Sequence, residues 1–274
     1  RIMGISDKIC VVSVGVDGRE PYSQYVETLK QKAIENGYAA MVWKNEMPPN
    51  CPAHQDVPYA FKPYAIQAAL DEGYTKIFWM DSKCHIVSKV TPVEEALDEH
   101  GYWFVEDGMT VGEWCKDSAL PLLGVTREEA YQMKVIAAKH FALNLEHDIA
   151  KQFFKRYMGY AVDNNGEAYR GPWQNNNSEA SVDPNVRGHR HDQTCGSVIR
   201  EQLGMKMFEN NVVDWRDGWK FRGQSGHHGM IEPLVLFDGY LHGSATSCPC
   251  QTCRDINQKI VDGTVVPPNT FWRD

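Results

Sequence analysis

The residues best placed to do chemistry are a carboxylate at the tip of a buried strand, a lysine two positions beyond it, and a histidine-rich segment much further along. In "IFWMDSKCHIV" (77–87) an apolar run stops at Asp81, and Lys83 stands where a second acid would complete a metal-and-phosphate site. Asp17 closes a similar run at 9–16, and Lys62 opens "KPYAIQAALDEGY". "HRHDQ" (189–193) packs two imidazoles, the Arg190 guanidinium and the Asp192 carboxylate into five positions. Such a set can orient a hydroxyl or take its proton. "GQSGHHG" adds His227 and His228 between glycines that let a backbone approach a ligand closely. A carboxylate is a hard ligand for a divalent cation, whereas a lysine ammonium is a compact cation suited to phosphate.

Each of these has a plainer reading. Asp81 alone is an ordinary strand-end turn residue. Asp192 is placed to be the N-cap of a following helix, and His189, His191, His227 and His228 would be exposed loop residues. The cysteines divide the same way. "LHGSATSCPCQTC" sets Cys248, Cys250 and Cys253 at C-x-C-x₂-C spacing with His242 nearby, a candidate set for structural zinc. A metal would supply folding energy to a segment with little apolar content. Free buried thiols are the alternative, and the five scattered cysteines fit a reducing compartment.

The elements that must position these groups follow from periodicity. Strands are predicted over 9–16, 38–44, 76–82 and 101–107. Helices are predicted after Tyr22, with Tyr25, Val26, Leu29 and Ala33 inward, and after Lys62, with Ile66, Ala69 and Leu70 inward. Gly37 and Gly73 are their stops. Residues 126–158 read as one or two long helices and 162–192 as a long polar loop. Residues 193–204 read as a short helix with Val198, Ile199 and Leu203 inward. Alternating strands and helices imply an α/β fold with a mostly parallel sheet, whose ligands bind beyond the carboxyl ends of the strands. Asp17 and Asp81 both fall at such ends.

Composition narrows the function. Hydrophobic residues are 42% and charged residues 23% of the 274 positions, as in globular chains. The net charge of −8 speaks against bulk electrostatic binding of nucleic acid, although Arg156, Arg170, Arg187 and Arg190 would allow a local basic groove. No apolar run is long enough for a membrane span, and the first twenty residues lack a signal-peptide pattern, so the expected location is cytoplasmic.

"FKPYAIQAALDEGYTKIFWMDSKCHI", followed later by "HRHDQT" at a helix start, resembles the layout of the GT-A class of nucleotide-sugar glycosyltransferases. The resemblance spans about residues 9–204 and rests on the order of the motifs. It implies a GT-A-like, Rossmann-like core over 1–204 and an irregular C-terminal extension over 205–274. It further implies a nucleoside-diphosphate sugar as donor, UDP-sugar foremost, and a hydroxyl acceptor: a glycan or small molecule, with a modified base in DNA less favoured. Asp17 would lie near the base, Lys62, Lys83 and Arg190 near the diphosphate, Asp81 near sugar or ribose, and Asp192 would be the base or sugar-orienting carboxylate. His227 and His228 would meet the metal or the diphosphate. The departure is D-S-K in place of D-x-D. Either Asp81 and a late histidine hold Mn²⁺ or Mg²⁺ more weakly, or Lys83 supplies the charge itself. A nucleotidyltransferase, or a non-catalytic binding protein with a disabled metal site, is the alternative.

Overall fold

The first strand, β1 (Ile9–Gly15), is buried at every residue, which is why it reads as an uninterrupted apolar run. It belongs to the centre of a sheet covered on both faces. The computed structural model describes residues 8–16, 22–86 and 89–208, together with the backbone of three short later strands. After β1 come α1 (Tyr22–Glu35), β2 (Ala39–Lys44), α2 (Phe61–Asp71), β3 (Lys76–Met80), β4 (Cys84–Ile86) and α3 (Thr91–Glu99). β5 (Tyr102–Trp103), β6 (Glu106–Thr110), α4 (Leu120–Leu123), α5 (Arg127–Gln132), β7 (Lys134–Ile136) and β8 (His140–Asn144) follow. Then come α6 (Asp148–Val162), α7 (His191–Gln202), β9 (Val212–Asp214), β10 (Lys220–Phe221) and β11 (Val235–Phe237).

The main sheet has the order β2-β1-β3-β8-β5. β1 pairs in parallel with β2 and β3, and β8 runs antiparallel between β3 and β5. Four strands therefore share a direction and one opposes them, the mostly parallel α/β sheet expected. The strands' period of two sorts the core into two layers. Cys10, Val12, Val14, Ile77, Trp79, Phe141 and Leu143 pack against α2, α6 and α7. Ile9, Val11, Phe78, Met80 and Ala142 pack against Leu29 and Ala33 of α1 and Val93, Ala96 and Leu97 of α3. Both early helices end as expected, at Gly37 (φ 90°) and Gly73 (φ 93°), backbone positions that favour glycine.

Three expectations are corrected. Residues 126–158 are not one or two long helices: α5 is short, and β7 and β8 lie between it and α6. Every residue of β8 is buried, so its apolar residues do not alternate with polar ones, and its Ala, Leu and Asn composition masks the strand. The strand expected over 101–107 is broken at Phe104 and Val105, with β5 in the main sheet and β6 paired with β7. The C-terminal extension is not wholly irregular, since β9, β10 and β11 form a second sheet with β4 of the core. Among the described residues no helix is long and apolar enough to cross a membrane.

Candidate functional site

Asp81 follows β3 directly. The strand's alternation sets it on the same side as Trp79, whose indole Nε1–H donates to Asp81 Oδ1 at 3.1 Å. The Asp81 amide donates to the Lys139 carbonyl at 2.7 Å, and its own carbonyl accepts from the Cys84 amide at 2.9 Å. The turn that carries Ser82 and Lys83 is thereby fixed at both ends. A cavity of about 460 Å³ opens at this point, at the carboxyl ends of the parallel strands. Its polar wall is Asp81, Ser82 and Lys83, with His54 also lining the cavity. Its apolar wall includes Val14, Tyr22, Tyr59, Phe61 and Trp79. The Lys83 ammonium lies 4.8 Å from the centroid of the Tyr22 ring.

Lys62, in the first turn of α2, is 3% exposed. Its ammonium reaches Asp192 Oδ2 at 2.9 Å, the Ala138 carbonyl at 2.8 Å and Asp81 Oδ1 at 3.6 Å. Two of these contacts are within hydrogen-bond distance and the third is an ion pair, so the group expected near a diphosphate is a buried internal tie between β3 and α7. Burial alone would lower its pKa, but Asp192 and then Asp81 outweigh burial and hold it above the ordinary lysine value. Asp81 keeps a third of its side chain exposed, yet the protein around it excludes enough water to raise its carboxyl. Lys62 opposes that rise.

Asp192 is not an N-cap. It lies inside the first turn of α7, is 3% exposed, and accepts from the Tyr157 hydroxyl at 3.1 Å as well as from Lys62. Tyr157 is held protonated by burial and by Asp192 beside it. Nor are His189 and His191 solvent-facing. His189 is fully buried: its Nε2 donates to the Ala168 carbonyl at 2.9 Å and its Nδ1 accepts from the Lys116 amide at 3.3 Å. His191 Nδ1 donates to the Tyr169 carbonyl at 2.7 Å. Arg190 lies between two indoles, its guanidinium carbon 3.9 Å from the Trp114 ring centroid and 4.4 Å from that of Trp173. Glu106 pairs with Lys134, and Asp107 accepts from Gln193.

Asp81, Lys62 and Asp192, distant in sequence, are thus brought together, with Lys83 on the adjoining cavity wall. Asp17, His227, His228, His242, Cys248, Cys250 and Cys253 lie outside the described residues. The aromatic wall was the missed part of the site. Trp79 was readable, because it is two residues from Asp81 on one strand. Tyr157 was not, since it reaches the site from α6 and no local pattern marks it.

The divalent cation that the resemblance implies can be tested against the donors in place. Among the described residues no three His, Cys, Asp or Glu side chains converge. Asp81 and Asp192 both face Lys62, and position 83 offers an ammonium. On the described cavity wall Asp81 is the carboxylate that could meet a divalent cation, whose other ligands would have to come from water and from phosphate.

No protein-family profile and no curated protein matches the chain. Solved structures do. It is similar to a glycosyltransferase involved in glycosylation of the major capsid of PBCV-1, at 12% identity over 87% of this chain and 97% of that one, with a TM-score of 0.48. It is similar to mouse xyloside xylosyltransferase 1, at 9% identity over 84% and 97%, TM-score 0.43. A third similarity is to the galactosyltransferase LgtC in complex with donor and acceptor sugar analogs, at 11% identity over 94% and 97%, TM-score 0.41.

Proposed function

We propose that the protein is a glycosyltransferase that moves a sugar from a nucleoside-diphosphate sugar, with UDP-sugar as the donor, to a hydroxyl acceptor. The observation that carries this reading is the cavity beyond β1, β2 and β3. One stretch of its wall is aromatic, and another holds an acid and a lysine two residues apart. Its volume lies within the range of small-molecule sites. A nucleobase and ribose suit the aromatic wall. Lys83 suits the diphosphate, because a positioned cation stabilises the charge that develops on a leaving phosphate. Asp81 would repel phosphate and so suits the hydroxyls of ribose or sugar. Lys62 and Asp192 do their work from behind this wall. Lys62 holds the Asp81 carboxylate in place, and Asp192 holds Lys62.

The test is calorimetric titration with UDP, GDP and their sugars, once with Mn²⁺ and once with EDTA. UDP binding that survives EDTA and is lost in Lys83→Ala is the expected result. Binding that appears only with Mn²⁺ would move the cation's work from Lys83 to a metal, and no binding in either condition would overturn the reading.

A further inference from the structure

Among the described residues eight non-glycine residues have left-handed backbone, and five of them are asparagines, the side chain that tolerates it best. One of the other three is Ser178, and the remaining two carry rings: Tyr59 (φ 62°) and His191 (φ 49°). These two stack on each other with centroids 5.3 Å apart and planes 29° apart. Such a conformation is disfavoured for a side chain with a Cβ, and residues that adopt it gather at sites of function. Tyr59 is held in it by its amide, which donates to His54 Nδ1 at 3.1 Å.

His191 has a second unusual feature. Its Nδ1–H is given to Tyr169, so Nε2 carries a lone pair, and that buried atom has no hydrogen-bond partner. A buried acceptor left unmatched is destabilising. Burial lowers the imidazole pKa, which keeps the ring neutral and the lone pair open near pH 7. The ring is covered by Tyr59, which belongs to the cavity wall, and by Trp173, edge-to-face at 5.2 Å. Trp173 is 47% exposed, a costly placement for an indole, and Arg190 is stacked against it. Asp192, the other acceptor in this segment, already receives Lys62 and Tyr157.

We propose that Trp173 and His191 form the acceptor subsite: the acceptor is a sugar ring that lies on the Trp173 indole and donates one hydroxyl to His191 Nε2. A sugar ring presents an apolar C–H face and a rim of hydroxyls, which match an exposed aromatic surface beside a buried lone pair. Because Nε2 is buried, binding in this mode requires the half-exposed indole to move aside for that hydroxyl. This assignment rests on the glycosyl-transfer reading and adds to it the acceptor's chemical class and the two residues that select it.

The experiment uses the full chain saturated with UDP. Methyl glycosides of glucose, galactose, mannose and xylose are titrated at millimolar concentration, while the indole N–H signal of Trp173 and the Nδ1–H signal of His191 are followed by NMR. At least one glycoside is expected to shift both signals. Trp173→Ala should weaken its binding roughly tenfold. His191→Asn, chosen because asparagine accepts a left-handed backbone, should weaken it roughly five- to tenfold. UDP affinity should stay at the wild-type value in both variants. No shift with any glycoside while UDP binds, or unchanged glycoside affinity in both variants, overturns the subsite. Failure of the wild-type protein to bind UDP or GDP would instead count against the glycosyl-transfer reading, so the two failures are told apart.

Discussion

At the scale of single residues the decisive group is the Lys62 ammonium. It is the cation between two carboxylates, so its removal leaves Asp81 and Asp192 near one another with their shared counter-charge gone. Breaking a buried pair by removing one partner costs about 3–5 kcal/mol, mainly because the other charge is left uncompensated. Lys62→Met should therefore lower stability by that amount in urea unfolding. Adding Asp192→Asn to Lys62→Met should recover part of the loss, since it removes the orphaned charge. A double variant that is less stable than Lys62→Met, by the full cost of Asp192→Asn alone, would show that the two residues act independently. Sequence carried half of this arrangement. Asp81 and Lys62 stood out because each ends or begins an element with clear periodicity. Their pairing did not, because Asp192 comes from a helix more than a hundred residues further on, and only the packing of α7 against α6 and the sheet brings it there.

At the scale of elements, the polar segment between α6 and α7 lacks periodicity because side chains bonded to its backbone hold it, rather than a ladder. Asn175 accepts from the Ala180 and Ser181 amides and donates to the Ser181 and Val186 carbonyls. Gly188 lies so close to Trp173 that an added Cβ would come within 2.1 Å of its carbonyl oxygen. His189 ties this segment to Lys116 and Ala168. Complete burial, with His191 close by, lowers the His189 pKa to about 3. Its unfolded value is about 6.5, so below that pH the unfolded chain takes up a proton that the native ring refuses. The stability it contributes is fully present above 6.5 and is lost as pH falls toward 3. His54 and His191 act in the same direction. Asp81, with its raised carboxyl, acts in the opposite one, so the informative comparison is between proteins rather than between pH values. His189→Gln should be less stable than wild type at neutral pH, and its urea midpoint should fall less steeply between pH 7 and about pH 4. Parallel slopes would remove His189 from the acid response.

For the whole molecule, glycosyl transfer as proposed raises the question of what kind of acceptor its surface would admit. The net charge of −8 offers little to a polyanion. Three of the four arginines that sequence alone left open as a basic groove are engaged with other groups of the protein. Arg187 pairs with Glu113 at 3.1 Å, Arg190 is stacked between two indoles, and Arg156 bonds to Gln202. Of the positive charges on the cavity side, Lys62 is buried and Lys83 lines the cavity wall. The sheet order behind this cavity was half legible: β1, β2 and β3 have the apolar runs and glycine stops of parallel strands. The position of β8 between β3 and β5 was hidden by its complete burial. Duplex DNA should therefore show no retardation by the protein in a mobility assay at physiological salt, with or without UDP-sugar. Retardation that weakened steeply as salt rose would reveal several phosphate contacts. It would shift the acceptor from a free sugar ring to a base held in DNA, with Trp173 then stacking on the base instead.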